Sequence, residues 1–385
     1  MTYTPPIVVI AYNRPNSLSR LLFSLKNIKN ASDIKLIISI DNNAPENHNV
    51  LRIAEEYAWP FGDKEVIYHS QHLGLKQHVL QCGDLSQKYG SVIILEDDLF
   101  VSPHIYDYTV KALEYYDPDE NIGGISLFNQ PRNEMILLPF APVNDDSDVY
   151  FLQFPSSLGQ AWTKNHWKGF RDWYNKAPDI STIVPENILT WPKTSWKKYF
   201  AAYLIAHNKY FVFPRYSFTT NFNDPGTHLR RLSNFEGQVH LRLFNGPYRF
   251  KDISDSYCVY DATLELLPDH IKQLSSTLDD CDFEMDLYGL KDLKSVKKPF
   301  IITSKLTRNP IRGYMRALKP HEMNIIFGLA GDDFSLCRTD DALAVENEYV
   351  RRLADYKYYY TRHIPGWKLQ TFNYIQRIKQ RMKHD

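Results

Sequence analysis

Four cysteines in 385 residues, Cys82, Cys258, Cys281 and Cys337, are too scattered for a zinc site of paired spacing or a disulfide-stapled scaffold. A reducing cytoplasm is the expected setting. The chain also lacks excess charge. Lys+Arg 45 against Asp+Glu 45 leaves a formal net charge of zero, so no global field draws nucleic acid or an anionic surface. No apolar run approaches the roughly 20 residues that a membrane helix requires. Met1 to Pro6 has no basic start followed by an apolar stretch, so neither a secretion signal nor a span is expected. Glycine is missing where a dinucleotide enzyme would need it. The turn after the first apolar strand reads Asn13-Arg14-Pro15-Asn16, which excludes the close backbone approach to a pyrophosphate that the nicotinamide fingerprint requires.

What remains is a globular chain, 43% hydrophobic and long enough for one large or two ordinary domains. Its most informative stretch is Ser91-Val92-Ile93-Ile94-Leu95-Glu96-Asp97-Asp98-Leu99-Phe100, an apolar run that ends in three consecutive carboxylates. Three crowded anions repel unless a cation or hydrogen-bond donors offset them. A hard divalent cation, Mn²⁺ or Mg²⁺, is the simplest compensator, and such ions bind through one or two carboxylates plus substrate phosphates. The alternative is a capping role, with Asp97 or Asp98 at the start of a helix over Ile105 to Tyr116.

The first half alternates strands with helical patterns, which predicts an α/β fold on a largely parallel sheet. Strands are expected at Ile7 to Tyr12, Lys35 to Ile40, Glu65 to Tyr68, Val92 to Leu95 and Gly123 to Asn129. Helices are expected at Ser17 to Lys29, Val50 to Trp59, Leu73 to Tyr89 and Ser195 to Asn208, with a strand at Tyr210 to Phe213. Ligands of open α/β sheets bind beyond the carboxyl ends of strands, and Arg14, Asp41 and Glu96-Asp97-Asp98 all sit at such ends. The stretch Thr219 to His228 is too rich in turn formers to be regular. Composition shifts after about Asp261, which predicts a domain over residues 1–260 and a mainly helical extension over 261–385. From Trp367 the apolar residues Phe372, Ile375, Ile378 and Met382 recur among Lys368, Arg377, Lys379, Arg381 and Lys383. That is a basic amphipathic helix, either docked on the body or in peripheral contact with a membrane.

Taken in order, Pro6 to Pro15, Ile38-Ser39-Ile40-Asp41, Gly74 to His78 and Ile94 to Leu99 resemble the nucleotide-binding half of GT-A-fold glycosyltransferases. The likeness is to N-acetylglucosaminyltransferase I and to bacterial polysaccharide enzymes, and it covers about the first 240 residues. The resemblance implies transfer of a sugar from a nucleotide diphosphate donor, UDP-linked, to a glycan or lipid-linked oligosaccharide, with inversion, by a bacterial cytoplasmic enzyme of capsule or O-antigen synthesis. It assigns Asp41 to the base, Glu96 and Asp97 to the nucleoside, Asp98 to Mn²⁺, Arg14 to the diphosphate and His78 to ribose or phosphates. Phe154 to Trp162 is similar to a sugar and acceptor segment. His228, in a Gly-Thr-His turn, would complete the metal shell.

Each assignment has a plainer alternative: a surface charge for Arg14, turn chemistry for Asp41, a half-buried polar residue for His78 and a turn partner for His228. The chain departs from the pattern at Ser195 to Tyr199, where inverting relatives place a catalytic carboxylate and this sequence has Lys197 and Lys198. Asp224 is the best local candidate for the base, with Asp172 and Glu186 behind it. Two other classes fit the acidic triplet or the missing base: a metal-dependent phosphohydrolase or nucleotidyltransferase, and a catalytically silent glycan-binding protein.

Overall fold

The computed structural model describes residues 3–30, 32–43, 45, 47–222, 224, 237–275, 278, 281–343, 355, 358, 359, 367 and 371. The chain divides into two compact units, Met1–Pro131 with Asn144–Leu264, and Arg132–Val143 with Glu265–Asp385.

In the first unit the order is β1 (Ile7–Ala11), α1 (Pro15–Leu25), β2 (Leu36–Ile40), α2 (His48–Glu56), β3 (Lys64–Tyr68), α3 (Gly74–Tyr89), β4 (Ser91–Glu96), β5 (Leu99–Val101), α4 (Ile105–Tyr116) and β6 (Ile122–Ser126). The excursion that belongs to the second unit carries β7 (Arg132–Asn133) and β8 (Leu138–Pro139). The first unit then resumes with β9 (Val149–Leu152), β10 (Gln160–Thr163), α5 (Lys164–Tyr174), α6 (Glu186–Leu189), α7 (Trp196–Ala206), β11 (Tyr210–Pro214), β12 (Thr219–Asn221) and β13 (Val259–Tyr260).

Nine strands form one sheet in the order β13-β9-β11-β6-β10-β4-β1-β2-β3. β1, β2, β3 and β4 are mutually parallel neighbours, while β10 runs antiparallel to both β4 and β6. The sheet is thus mixed and mostly parallel, an α/β architecture with helices on it. Every residue of β1 and β2 is buried, as their unbroken Ile-Val-Val-Ile-Ala and Leu-Ile-Ile-Ser-Ile runs require of a sheet covered on both faces.

The helices follow from local chemistry. α1 starts with Pro15 in its first turn, where a missing N–H costs nothing, and buries Leu18, Leu21, Leu22 and Leu25. α3 ends at Gly90, whose φ of 79° is the left-handed conformation that glycine adopts without strain. Within α3, Gly83 lets Trp167 of α5 approach so closely that a Cβ would lie 2.2 Å from the indole. Trp167 packs in turn at a tilt against Trp162, with ring centroids 4.5 Å apart, beside Phe170 and Phe200. These rings form the core between β10, α5 and α7, all of them fully buried.

A second, two-stranded ladder pairs β5 with β12, Leu99 opposite Asn221 and Val101 opposite Thr219. It brings a segment from late in the unit beside the acidic triplet.

The second unit, by itself, holds α8 (Pro268–Leu274), β14 (Phe283–Asp286), β15 (Phe300–Thr303), β16 (Arg312–Tyr314), α9 (Glu322–Ile326) and β17 (Phe334–Arg338). Its described part is built on a four-stranded sheet, β14-β15-β17-β16, rather than being mainly helical as the sequence suggested. The strands are three to five residues long and separated by Gly, Pro and Asp turns, so neither period could be read from the sequence. Asp286 and Lys305 form a buried ion pair there, with Thr303 donating to the same carboxylate at 2.9 Å. Of the basic segment from Trp367 onward, only Trp367 and Thr371 are among the described residues. No helix among the described residues is long and apolar enough to cross a membrane.

Candidate active site

Parallel pairing sets the site. Ile10 of β1 lies opposite Glu96 of β4, and Ala11 opposite Ile40 of β2, so the residues that follow each strand emerge along one edge of the sheet. Arg14, Asp41 and Glu96-Asp97-Asp98 therefore come together by topology, at the carboxyl ends where such sheets bind ligands.

The guanidinium of Arg14 forks between two carboxylates. Nη1 donates to Asp98 Oδ2 at 2.7 Å and Nη2 donates to Asp97 Oδ1. Asp97 and Asp98 are buried, and their other oxygens, Asp97 Oδ2 and Asp98 Oδ1, are buried with no hydrogen-bond partner. Burial opposes the charge on Arg14, but Asp97 and Asp98 outweigh it and hold the guanidinium firmly protonated. Burial, followed by the field of Asp98, pushes the Glu96 carboxyl up to about 8 against the pull of Arg14 and Lys197. Burial pushes Asp97 up to about 6 even with Arg14 upon it. One guanidinium offsets the triplet only partly. Neither Asp97 nor Asp98 caps α4: its N-cap is His104, with no side-chain bond to the helix. The capping alternative is thereby removed.

Two unpartnered anionic oxygens are the chemistry a hard divalent cation needs, and they are the fit of this site to Mn²⁺ or Mg²⁺. Among the described residues no group of three His, Cys, Asp or Glu is arranged to hold a metal unaided. The set suits an ion that takes its remaining ligands from substrate oxygens and water.

Asp41 is 3% exposed and fully occupied. Its Oδ1 accepts the N–H of Asn42 at 2.9 Å and of Leu73 at 2.7 Å, and its Oδ2 accepts the N–H of Gly74 at 2.9 Å and faces His72 Nδ1 at 3.0 Å. A carboxylate offers about four acceptor positions. Here two of them are spent on Leu73 and Gly74 at the start of α3, whose free N–H groups need such a partner.

His78 lies inside rather than at the mouth. It is 2% exposed, with Nε2 2.8 Å from Ser39 Oγ, and the same hydroxyl meets His69 Nε2 at 2.9 Å. Burial, then the neighbouring His69, lowers His78 to about 4, so the ring is neutral. Asp224 accepts the Ser17 hydroxyl at 2.7 Å on Oδ2 and pairs there with Arg20, which also lies over the Phe222 ring at 4.3 Å. The Phe222 N–H reaches the Asp98 carbonyl at 3.3 Å, so this strand end and the triplet are adjacent.

Lys197 is buried over Phe154 at 4.4 Å and Trp191 at 5.5 Å, and Lys198 donates to the carbonyls of Leu189 and Trp191 at 2.6 and 2.9 Å. Asp172 is exposed in an ion pair with Lys168, and Glu186 opens α6. In the Phe154 to Trp162 segment, Trp162 is core and offers no ring to a sugar. His228 lies outside the described residues.

Sequence reasoning missed Ser17, Arg20 and His72. The spacing of Arg14, Ser17 and Arg20, three residues apart along one side of α1, was the available signal.

Residues 7–197 match the family model described as Glycosyl transferase family 2. The match takes in Arg14, Asp41, His78 and the triplet, while Asp224 and His228 lie beyond it. The chain is similar to an alpha-1,3-mannosyl-glycoprotein 2-beta-N-acetylglucosaminyltransferase of Arabidopsis thaliana, 25% identical over 167 residues. That alignment covers 43% of this chain, and the chain spans about a third of the relative's length, 32%. Among solved structures, Staphylococcus (S.) aureus TarS 1-349 in complex with UDP-GlcNAc aligns with a TM-score of 0.36 and 11% identity, over 58% of this chain and 60% of that one. GalNAc-T7 with UDP, GalNAc and Mn²⁺ aligns with a TM-score of 0.38 and 14% identity, over 55% and 43%.

Proposed function

We propose that this chain, which carries the glycosyl transferase family 2 match over residues 7–197, is a metal-dependent glycosyltransferase that takes a sugar from a UDP-linked donor. The acceptor is a glycan or lipid-linked oligosaccharide of bacterial surface polysaccharide synthesis, capsule or O-antigen, and the transfer inverts. The observation that carries the reading is the pair of buried, unpartnered oxygens Asp97 Oδ2 and Asp98 Oδ1 beside the Arg14 fork. The Arabidopsis relative is named as an N-acetylglucosaminyltransferase, which supports sugar transfer as the reaction class.

Asp98, with Asp97, would hold Mn²⁺ or Mg²⁺, and His228 enters as a further ligand on the sequence resemblance alone. The ion supplies Lewis-acid stabilisation of charge on the departing diphosphate. Arg14 supplies the planar fork that matches phosphate oxygens. Glu96 closes the nucleoside side of the site. Asp224, two residues beyond Phe222, whose N–H reaches the Asp98 carbonyl, takes the acceptor hydroxyl proton on Oδ1. Its contacts with Arg20 and Ser17 fix its orientation. The basic segment after Trp367 would give peripheral contact with the inner membrane.

Calorimetric titration of UDP with and without Mn²⁺, followed by turnover of UDP-sugars, tests the reading. Mn²⁺-dependent UDP affinity with donor turnover supports it. A protein that binds glycans but turns over no nucleotide sugar is the silent glycan-binding alternative, which the two lysines at 197 and 198 favour.

A further inference from the structure

The fork of Arg14 raises a question of occupancy. Its two nitrogens take Asp98 Oδ2 and Asp97 Oδ1, one oxygen from each carboxylate, and leave the other oxygen of each buried and bare. Arg14 directly precedes α1, and its hydrogen bonds to the triplet are these two, beside the electrostatic pull it exerts on Glu96. The side chain is 22% exposed, so its outer face remains open to a ligand.

From this geometry we infer that Arg14 is the resident counter-ion of Asp97 and Asp98, and that a donor diphosphate removes it. This rests on the proposed nucleotide-sugar site and adds a coupling to it. With no diphosphate present, the guanidinium holds one oxygen of each carboxylate and offsets part of the negative charge on which a divalent cation must land, so a cation arriving alone meets a pair already partly compensated. A diphosphate offers Arg14 a bidentate partner of equal geometry. When the fork turns to the phosphates, both carboxylates are left for the cation, which the same phosphates then help to ligate. Cation and diphosphate therefore bind with positive cooperativity, each raising the affinity of the other by the same factor. The chemical class recognised is a nucleoside diphosphate; inorganic phosphate, lacking the paired groups, draws Arg14 away less well.

The test is Mn²⁺ binding followed by electron paramagnetic resonance and calorimetry on the full chain, alone and with saturating UDP. Three proteins are compared, the wild type, Arg14→Met and Arg14→Lys, each checked for native circular dichroism. The wild type should bind Mn²⁺ about 10-fold or more tightly with UDP present than without it, within the usual range of coupling energies. Arg14→Met should bind Mn²⁺ alone about 10-fold more tightly than the wild type, lose UDP affinity, and show a coupling smaller than the wild type's, reduced to the part that shared phosphate ligation supplies. Arg14→Lys, which keeps the charge but not the fork, should fall between. Unchanged or weaker Mn²⁺ binding by folded Arg14→Met, without UDP, overturns the inference. The measurement with Mn²⁺ alone stands apart from the nucleotide. If no form binds UDP, the proposed function fails, while tighter Mn²⁺ binding by Arg14→Met still supports the counter-ion role.

Discussion

Asp41 and Gly74 are 33 residues apart in sequence, and the carboxylate of the first takes the backbone N–H of the second at 2.9 Å. With Leu73 and Asn42 on the other oxygen, a single side chain at the end of β2 holds the entry to α3. The residue that resemblance assigns to a nucleobase is, in this chain, the N-terminal anchor of a helix. The two duties compete for the same lone pairs.

Asp41→Ala should lower the unfolding free energy by about 2–3 kcal/mol, the scale of losing charge-assisted bonds that leave buried N–H groups unpaired. Urea unfolding followed by circular dichroism measures it. Asp41→Asn, which keeps one acceptor, should cost less. A drop in UDP affinity with no change in stability would instead make Asp41 a ligand-contacting group first.

His78 sets an acid limit. Its native value near 4 lies below the ordinary 6.5, so the unfolded chain takes up a proton before the native one does. The stability it contributes is complete above pH 6.5 and is lost as pH falls through 4. The full difference is about 3 kcal/mol by the ~1.4 kcal/mol that one pH step represents. Unfolding free energies at pH 7 and pH 4 for the wild type and His78→Asn should show a smaller pH difference in the variant. Equal slopes would remove His78 from the account.

Glu96 acts with the opposite sign. Glu96 is raised from 4.5 to about 8, so the native state is most favoured below pH 4.5 and loses that advantage as pH rises through 8. Glu96→Gln should flatten the profile over this window and be more stable than the wild type near pH 8. Asp98→Asn should lose Mn²⁺-dependent UDP affinity about 100-fold, at least the scale of lost metal-site contacts. Parallel calorimetry and thermal melts check both halves. Retained Mn²⁺-dependent binding would place the cation elsewhere.

Asp224→Asn should reduce kcat about 100-fold at saturating donor and acceptor, the scale of a positioned general base. Its contact with Arg20 is partly exposed, so the stability change should stay within about 1 kcal/mol. If kcat holds and only the melting temperature moves, the residue is a clamp between α1 and the strand end at Asn221.

Much of this was legible in advance. The helix over Ser195 to Asn208 was expected from the sequence and stands at Trp196–Ala206, and the strands ending at Asp41 and Glu96 stand within a residue or two of their expected bounds. Long apolar runs and Leu periodicity are local signals. The contacts that decide the chemistry are not: the Arg14 fork spans 84 positions to Asp98, and Asp224 reaches back 207 to Ser17. Trp162 misled because a ring that would stack on a sugar and a ring that fills a core are the same residue in sequence. β10, four residues long, carries no period of its own, and only its neighbours define it.

That short strand is also the later-synthesised neighbour of β4. β4 is flanked by β1 on one side and β10 on the other, with Ala161 opposite Ile93 and Thr163 opposite Ser91. During synthesis the acidic triplet emerges more than 60 residues before its second neighbour does. Until Gln160 to Thr163 arrives, the edge of β4 presents open hydrogen-bonding groups along an apolar strand, which is the template for misassociation between chains. A nascent chain halted before β10 is therefore the form of this protein most in need of a chaperone.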